Sequence, residues 1–556
     1  MKKWFQYAEV FWKNKVYMAV LILTALCGYG FKILHPVIGI DDTPHAYYFQ
    51  EGLAAIVGRW VLFLLNKVIS IADFAPFLTD FVAVLLLMAG VTVWCMLFYS
   101  VFADGKKEIP FMGYVFFAAI FLSCPLICEV FTYYLHNGIA IGYLCSGSSL
   151  CCLRESTLQK GKAKLPWLLG SVIGLLVALG CYESFMVVWL LGMLLLFLTE
   201  HFAGVRRKTF GALCMAAMVA VAGFLCRSIM IALITRLFGL EYLKTEAVQR
   251  SITEMAGWLL GPGALSEFAM VLKRIFVMYG VFAYAYYPIR IFLAASIVIA
   301  LYSIYRAIRE KDAWCFLLMV GSFVVSFLLV VIEGKATLYR SAQFLPVICG
   351  YGALVAVYGG KRGMDALRGL RSGLVTKIGN GVILFLLSCI LWNQCVDMNK
   401  WFAVDYEKYQ AAREVIQQID CRLEREFDIN KPVVFTGTYE VPQGIIEEAY
   451  VPYGSDTYYK MKKITDRVDI HLLEKFYRSY GVWVAQTPAL SVIDWGRYAF
   501  DNDEELVKFF AMHGYKLVPL LDEALYPVAE AYSLNLPSFP QEGSIVDMGE
   551  YIIVHL

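Results

Sequence analysis

The feature that most constrains this chain is a succession of apolar runs, each about long enough to cross a lipid bilayer, which takes about 20 residues in a helix. The first covers Val16 to Leu34. Others follow at about 80–103, 111–130, 138–153, 165–182, 184–200, 210–233, 289–305, 313–332, 344–359 and 378–396. Bilayer hydrocarbon leaves backbone amides only each other as partners, so such runs must be helices. Composition agrees. The 556 residues are 60% hydrophobic and only 17% charged, with mean hydropathy +0.62. Soluble chains are about 45–50% apolar and about 25% charged, which excludes a soluble enzyme and a disordered chain. The expected fold class is a polytopic α-helical membrane protein of about eleven spans. Two further stretches, Leu53–Ala72 and Ile275–Tyr287, are apolar but short or interrupted, and read as interfacial or re-entrant helices. The first run lacks a small-residue cleavage site and is not expected to be a signal peptide.

Lys and Arg in short loops orient such a bundle, because they are retained on the cytoplasmic side. Lys2, Lys3, Lys13 and Lys15 precede the first run. Every second loop is then basic: Lys106 and Lys107; Arg154 with Lys160, Lys162 and Lys164; Arg206, Arg207 and Lys208; Arg306, Arg309 and Lys311; then Lys361, Arg362, Arg368, Arg371 and Lys377. The loops at Phe131–Asn137 and Tyr182–Ser184 carry no Lys or Arg. The expected topology has the N-terminus inside and everything after Cys395 outside.

The net charge of +2 conceals a division. Residues 400–556 carry 15 Lys and Arg against 25 Asp and Glu, a net of −10, which leaves +12 for the part before them. No nucleic-acid footprint is present in a chain so nearly neutral. The expected domains are a transmembrane bundle over 1–399 and a small extracytoplasmic α/β domain over 400–556. In the latter a helix is expected over about Asp405–Glu426, apolar at Ala411, Ala412, Val415, Ile416 and Ile419. A strand at Pro432–Phe435 ends at Thr436–Gly437. A second helix opens at Asp501, with acids at its positive end, and the last strand is about Tyr551–Leu556. Fourteen of the fifteen cysteines lie at or before Cys395, most in apolar runs, and read as small apolar residues and not as disulfide staples.

Chemistry concentrates after the first run, in Gly39-Ile40-Asp41-Asp42-Thr43-Pro44-His45. Adjacent carboxylates beside apolar surface raise at least one pKa, which suits a general base or a cation site; Asp-Asp-x-Pro is also ordinary turn chemistry. Gly58-Arg59-Trp60 follows. An arginine there can grip a phosphate through two parallel hydrogen bonds or extend its head to the headgroups.

An apolar run, Ile-Asp-Asp, then Gly-Arg-Trp some 17 residues on resembles the type II serotype-converting O-antigen glucosyltransferases, a family of the GT-C membrane glycosyltransferases. Tyr182-Glu183-Ser184-Phe185 is similar to the family's Tyr-Gln-Ser/Ala-Phe, with Glu183 a departure. Arg340 six residues before Pro346, and Asn393 and Asp405 about the end of the last run, extend the resemblance. It implies a GT-C-like fold and glucosyl transfer from a polyprenyl-phosphate donor outside the cytoplasm, to a cell-surface glycan. It also implies that Asp41 or Asp42 is the essential carboxylate. No Gly-rich nucleotide loop is present, as expected for a lipid phosphate donor.

Cations on the outer side would stabilise the charge that grows on the departing phosphate. Arg59, Arg290, Lys335 and Arg340 are the candidates, with lipid-headgroup contact or a local ion pair as the alternative for each. Tyr133, Tyr134 and His136 suit sugar stacking or an interfacial aromatic belt. Tyr182, Glu183 and His45 complete the expected substrate contacts. Arg227, inside the seventh run, must face the bundle interior, because a charge at mid-bilayer costs about 2.5–3.5 kcal/mol; Glu183 or Glu129 is its expected partner. Asp41–Asp42 could hold Mg²⁺ or Mn²⁺ loosely, but no matched ligands support zinc, and no cofactor or metal is expected. A transporter or flippase of lipid-linked sugars would show repeated halves with matched helix breaks, which the sequence lacks. A glycan polymerase or ligase remains the other alternative, through the loop Ile234–Val277.

Overall fold

A computed structural model of the chain describes residues 2–37, 51–69, 75, 77–105, 109–131, 136–205, 209–241, 257, 261, 263–279, 289–333, 341–367, 373–437, 439, 507, 510–511 and 513–556. The expected residues Asp41, Asp42, His45, Tyr133, Tyr134, Lys335 and Arg340, and the expected helix start at Asp501, lie outside these. So do the side chains of Glu129, His136 and Arg290.

The helices, in chain order, are α1 (Lys2–Lys13), α2 (Lys15–Leu34), α3 (Glu51–Ile56), α4 (Trp60–Ile69), α5 (Leu78–Asp104), α6 (Met112–Leu122), α7 (Leu126–Phe131), α8 (His136–Leu158), α9 (Lys164–Cys181), α10 (Phe185–Ala203), α11 (Thr209–Leu237), α12 (Ala264–Tyr279), α13 (Ile289–Glu310), α14 (Ala313–Ser326), α15 (Leu328–Glu333), α16 (Leu345–Leu367) and α17 (Gly373–Glu426). Among the described residues, seven helices are long and apolar enough to cross a membrane: α2, α5, α9 with its preceding turn, α10, α11, α13 and α17. Helix α11 shows the pattern expected of a lipid-facing span. Met218, Val221, Leu225, Ile229 and Leu233 form an exposed apolar stripe, while Ala212, Ala216, Val219 and Gly223 are buried.

Two expected runs are broken helices. The run at 111–130 stops at Leu122 and restarts at Leu126, across Pro125, whose ring excludes a helical amide and disfavours helix in the residue before it. The carbonyl freed at Leu122 accepts from the buried Tyr29 hydroxyl at 2.6 Å. Ser123, in the break, donates to Gln394 of α17 at 2.8 Å. The run at 313–332 breaks at Phe327. Upstream of it, Ser322 and Ser326 donate to the carbonyls of Leu318 and Ser322, a local competition that weakens helical pairing.

Two cations read from the sequence as loop charges are buried within helices. Arg154 of α8 donates to Ser100 O and to Asp104 Oδ2 at 2.5 Å, and Lys3 donates to the other Asp104 oxygen. Arg306 of α13 donates to the carbonyls of His201 and Phe202 at the end of α10. A guanidinium offers five donors and satisfies the acceptors that a helix C-terminus leaves open. All fifteen cysteines are free, and Cys27, Cys214 and Cys421 are exposed.

Helix α17 continues without a break from apolar residues into the acidic tail. At 1.5 Å per residue its 54 residues span about 80 Å. Its last turns present Ala412, Val415, Ile416, Ile419 and Leu423 to a small sheet. The strands are β1 (Pro432–Thr436), β2 (Val518–Pro519), β3 (Ile545–Asp547) and β4 (Ile552–His555). Their order is β2-β1-β4-β3, with β1 parallel to β2 and β4, and β3 antiparallel to β4. A short helix, α18 (Tyr526–Ser533), covers the other face through Ala529 against Val434, Tyr551 and Ile553. Gly437 closes β1 at φ +74, a conformation that favours glycine.

Candidate functional site

Gly58-Arg59-Trp60 forms the corner between α3 and α4. The Gly58 and Arg59 amides donate to Ala55 O and Ala54 O, closing the end of α3. Gly58 has φ +97, so the turn itself favours glycine. Trp60 then packs on Gly180 of α9, where a Cβ would meet its Cε2 at 2.5 Å. Tyr182 and Glu183 follow directly, in the turn between α9 and α10.

These contacts bring together three residues singled out in the sequence. The Arg59 guanidinium carbon lies 4.7 Å from the centre of the buried Tyr182 ring. Stacking of this kind holds a guanidinium in place while its edge stays available to an oxyanion. Arg59 Nε is buried and has no hydrogen-bond partner among the described residues. Glu183 is exposed beside them.

Arg227 joins the group from α11, a residue the sequence suggested only as half of an ion pair. The expected carboxylate bond to Glu183 is not what holds it. Its Nε donates to Leu179 O at 3.3 Å and its Nη2 to Val57 O at 3.5 Å, the carbonyls that the ends of α9 and α3 leave free. Glu183 and Arg59 are its charged neighbours. Its guanidinium crosses the bare face of Gly58: a Cβ there would collide with Nη2 and lie 2.7 Å from Cζ. Among the described residues, neither Arg59 nor Arg227 has a carboxylate ion pair. Nothing in the sequence linked Gly58 and Arg59 to position 227.

Asp405 of α17 is fully buried, and Cys128 of α7 lies within electrostatic reach of it and of Asp397. Asn393 is exposed and donates to its own helix at Cys389 O. The backbone of Arg290 lies in the first turn of α13 and that of His136 opens α8.

The described residues also include one grouping with metal-ligand chemistry, His201, Asp312 and Cys315. Both His201 ring nitrogens are engaged, Nδ1 with Asp312 at 2.6 Å and Nε2 with Thr209 at 2.9 Å. The grouping fastens the ends of α10, α11 and α14, and lies about 27 Å along α10 from the Tyr182 turn.

The model of the glucosyl transferase GtrII family matches residues 30–357, more than half of the chain, and takes in every element of the Arg59 corner. The chain belongs to the GtrII glucosyl transferase family. No curated protein matches it. Among solved structures it is similar to the apo oligosaccharyltransferase of Archaeoglobus fulgidus, at 11% identity and a TM-score of 0.37. The match covers 79% of this chain and 64% of that one, so the chain spans less than two thirds of that protein's length. A likeness this slight fixes neither architecture nor activity.

Proposed function

We propose that the chain is a GT-C-like enzyme that moves a hexose, glucose by family, from a polyprenyl-phosphate donor to a cell-surface glycan. The reaction is placed on the extracytoplasmic side of an inner or plasma membrane. The observation that carries this reading is Arg59, a guanidinium held on Tyr182 whose buried Nε has no hydrogen-bond partner among the described residues. Such a group is prepared for a phosphate oxyanion.

In this reading the acceptor hydroxyl gives its proton to Asp41 or Asp42 as its oxygen bonds to the sugar C1. The bond from C1 to the phosphate oxygen breaks, and polyprenyl phosphate leaves as a dianion. Arg59 stabilises that growing charge, with Arg290, Lys335 and Arg340 as further cations of the outer surface. His45, Tyr133, Tyr134, His136, Tyr182 and Glu183 would line the sugar sites. No cofactor or metal is invoked, since a monophosphate leaving group carries less charge than a pyrophosphate. The bundle over 1–399 would perform the chemistry, and the acidic domain over 400–556 would steer the glycan acceptor.

The test is transfer of labelled glucose from polyprenyl-phosphate glucose in membranes containing full-length protein. Asp41→Asn or Asp42→Asn abolishes transfer while insertion continues. Wild-type rates in both would remove the carboxylate from the mechanism.

A further inference from the structure

Two guanidinium groups beside one another at the end of an apolar helix pair are electrostatically unfavourable unless an anion joins them. Arg59 and Arg227 are such a pair, and among the described residues no carboxylate lies within ion-pair distance of either. Glu183, their acidic neighbour, is exposed. Arg227 spends two donors on Leu179 O and Val57 O, which leaves three of its five N–H groups. The two backbone bonds fix the plane of the guanidinium, as preorganised anion binding requires. The position is possible only because residue 58 has no side chain.

We infer that Arg227 is a second phosphate-binding residue, sharing one lipid-phosphate site with Arg59 across Gly58. The inference rests on the proposed donor site and adds to it a distinct residue on a distinct helix. A sugar phosphodiester donor has one negative charge, and the departing monoester gains a second. Two guanidinium groups match the second state better than the first, so the pair favours the leaving group over the bound donor. Gly58 is then a spacing residue: its bare Cα lets Arg227 of α11 reach the same anion as Arg59.

The experiment measures equilibrium binding of farnesyl monophosphate, with farnesol as the uncharged control, to the full chain in phosphatidylcholine nanodiscs at pH 8. Arg227→Gln and Arg59→Gln each weaken farnesyl phosphate at least tenfold and leave farnesol unchanged. Gly58→Ala weakens the phosphate to a similar degree, because the methyl group displaces Arg227. Arg227→Lys keeps the charge but not the paired donors, and falls between wild type and Arg227→Gln. Unchanged phosphate binding in Arg227→Gln, with Arg59→Gln weakened, would overturn the shared site and leave the Arg59 reading standing. Equal weakening of phosphate and farnesol in Arg227→Gln would make Arg227 a packing residue and also overturn it. Unchanged binding in Arg59→Gln would remove both.

Discussion

The indole of Trp60 rests against the Cα of Gly180, at a distance that leaves no room for a methyl group. This contact fastens the corner carrying Arg59 to the helix that ends at Tyr182. Gly180→Ala inserts a methyl group into a filled space, which costs typically about 1–3 kcal/mol. The indole must shift, and the Arg59–Tyr182 stack with it. We expect a lower unfolding temperature of the purified protein together with reduced transfer; Gly30→Ala, where a Cβ meets nothing within 4 Å, is the control.

Arg59→Lys tests the shape of the cation. Lysine retains the charge but neither stacks as a plane nor donates two parallel bonds. Apparent donor affinity should fall about ten- to hundredfold, corresponding to loss of one charge-assisted hydrogen bond at about 1.5–3 kcal/mol. Acceptor affinity should hold. Equal donor kinetics in the lysine variant would show that position 59 contributes charge alone.

Asp104 lies between the buried Arg154 and Lys3. Asp104→Asn keeps the shape and removes the nearer counter-charge, leaving the buried Arg154 with only Glu155, at 3.9 Å. Breaking a buried pair costs about 3–5 kcal/mol, reduced here because Asp104 is partly exposed. The expected outcome is a marked loss of folded protein in detergent; replacing Asp104 and Arg154 together with Asn and Met should recover part of it.

The tail domain should respond to pH through His555. Burial at the end of β4 holds its imidazole below the ordinary value of 6.5, against a smaller upward contribution from Thr436. The unfolded chain therefore takes up the proton first. His555 contributes stability above about pH 6.5 that is lost as pH falls through the two values. Protection factors of the β1 and β4 amides in the full chain, taken relative to the intrinsic exchange rate at each pH, should fall between about pH 7 and pH 5, and His555→Gln should flatten that change.

Much of the helical architecture was legible because the bilayer imposes one requirement on every span, that apolar residues run on until the backbone has crossed. Hence α2, α5, α10 and α11 fall on their expected runs. Less legible was where a run bends. Pro125 was visible, but the hydrogen bonds from Tyr29 and Ser123 that make a break tolerable come from α2 and join α17, far apart in sequence. The tail's β1 and β4 were legible as short apolar runs ended by turn or terminal residues. The site was half legible. Gly-Arg-Trp and Tyr-Glu-Ser could each be recognised, whereas Arg227 looked like an isolated charge needing a carboxylate. Its partners are the open carbonyls of Leu179 and Val57, and such ends appear only when helices are placed side by side.

Helix α17 has a mechanical consequence. With no interruption between Gly373 and Glu426, it is a rod with one end among the spans and the other under the β-sheet. A tilt of about 5° at the bundle end carries the far end through about 7 Å, given a length of about 80 Å. Small angular changes among the spans are thus magnified into displacements of sugar-residue size at the acidic domain.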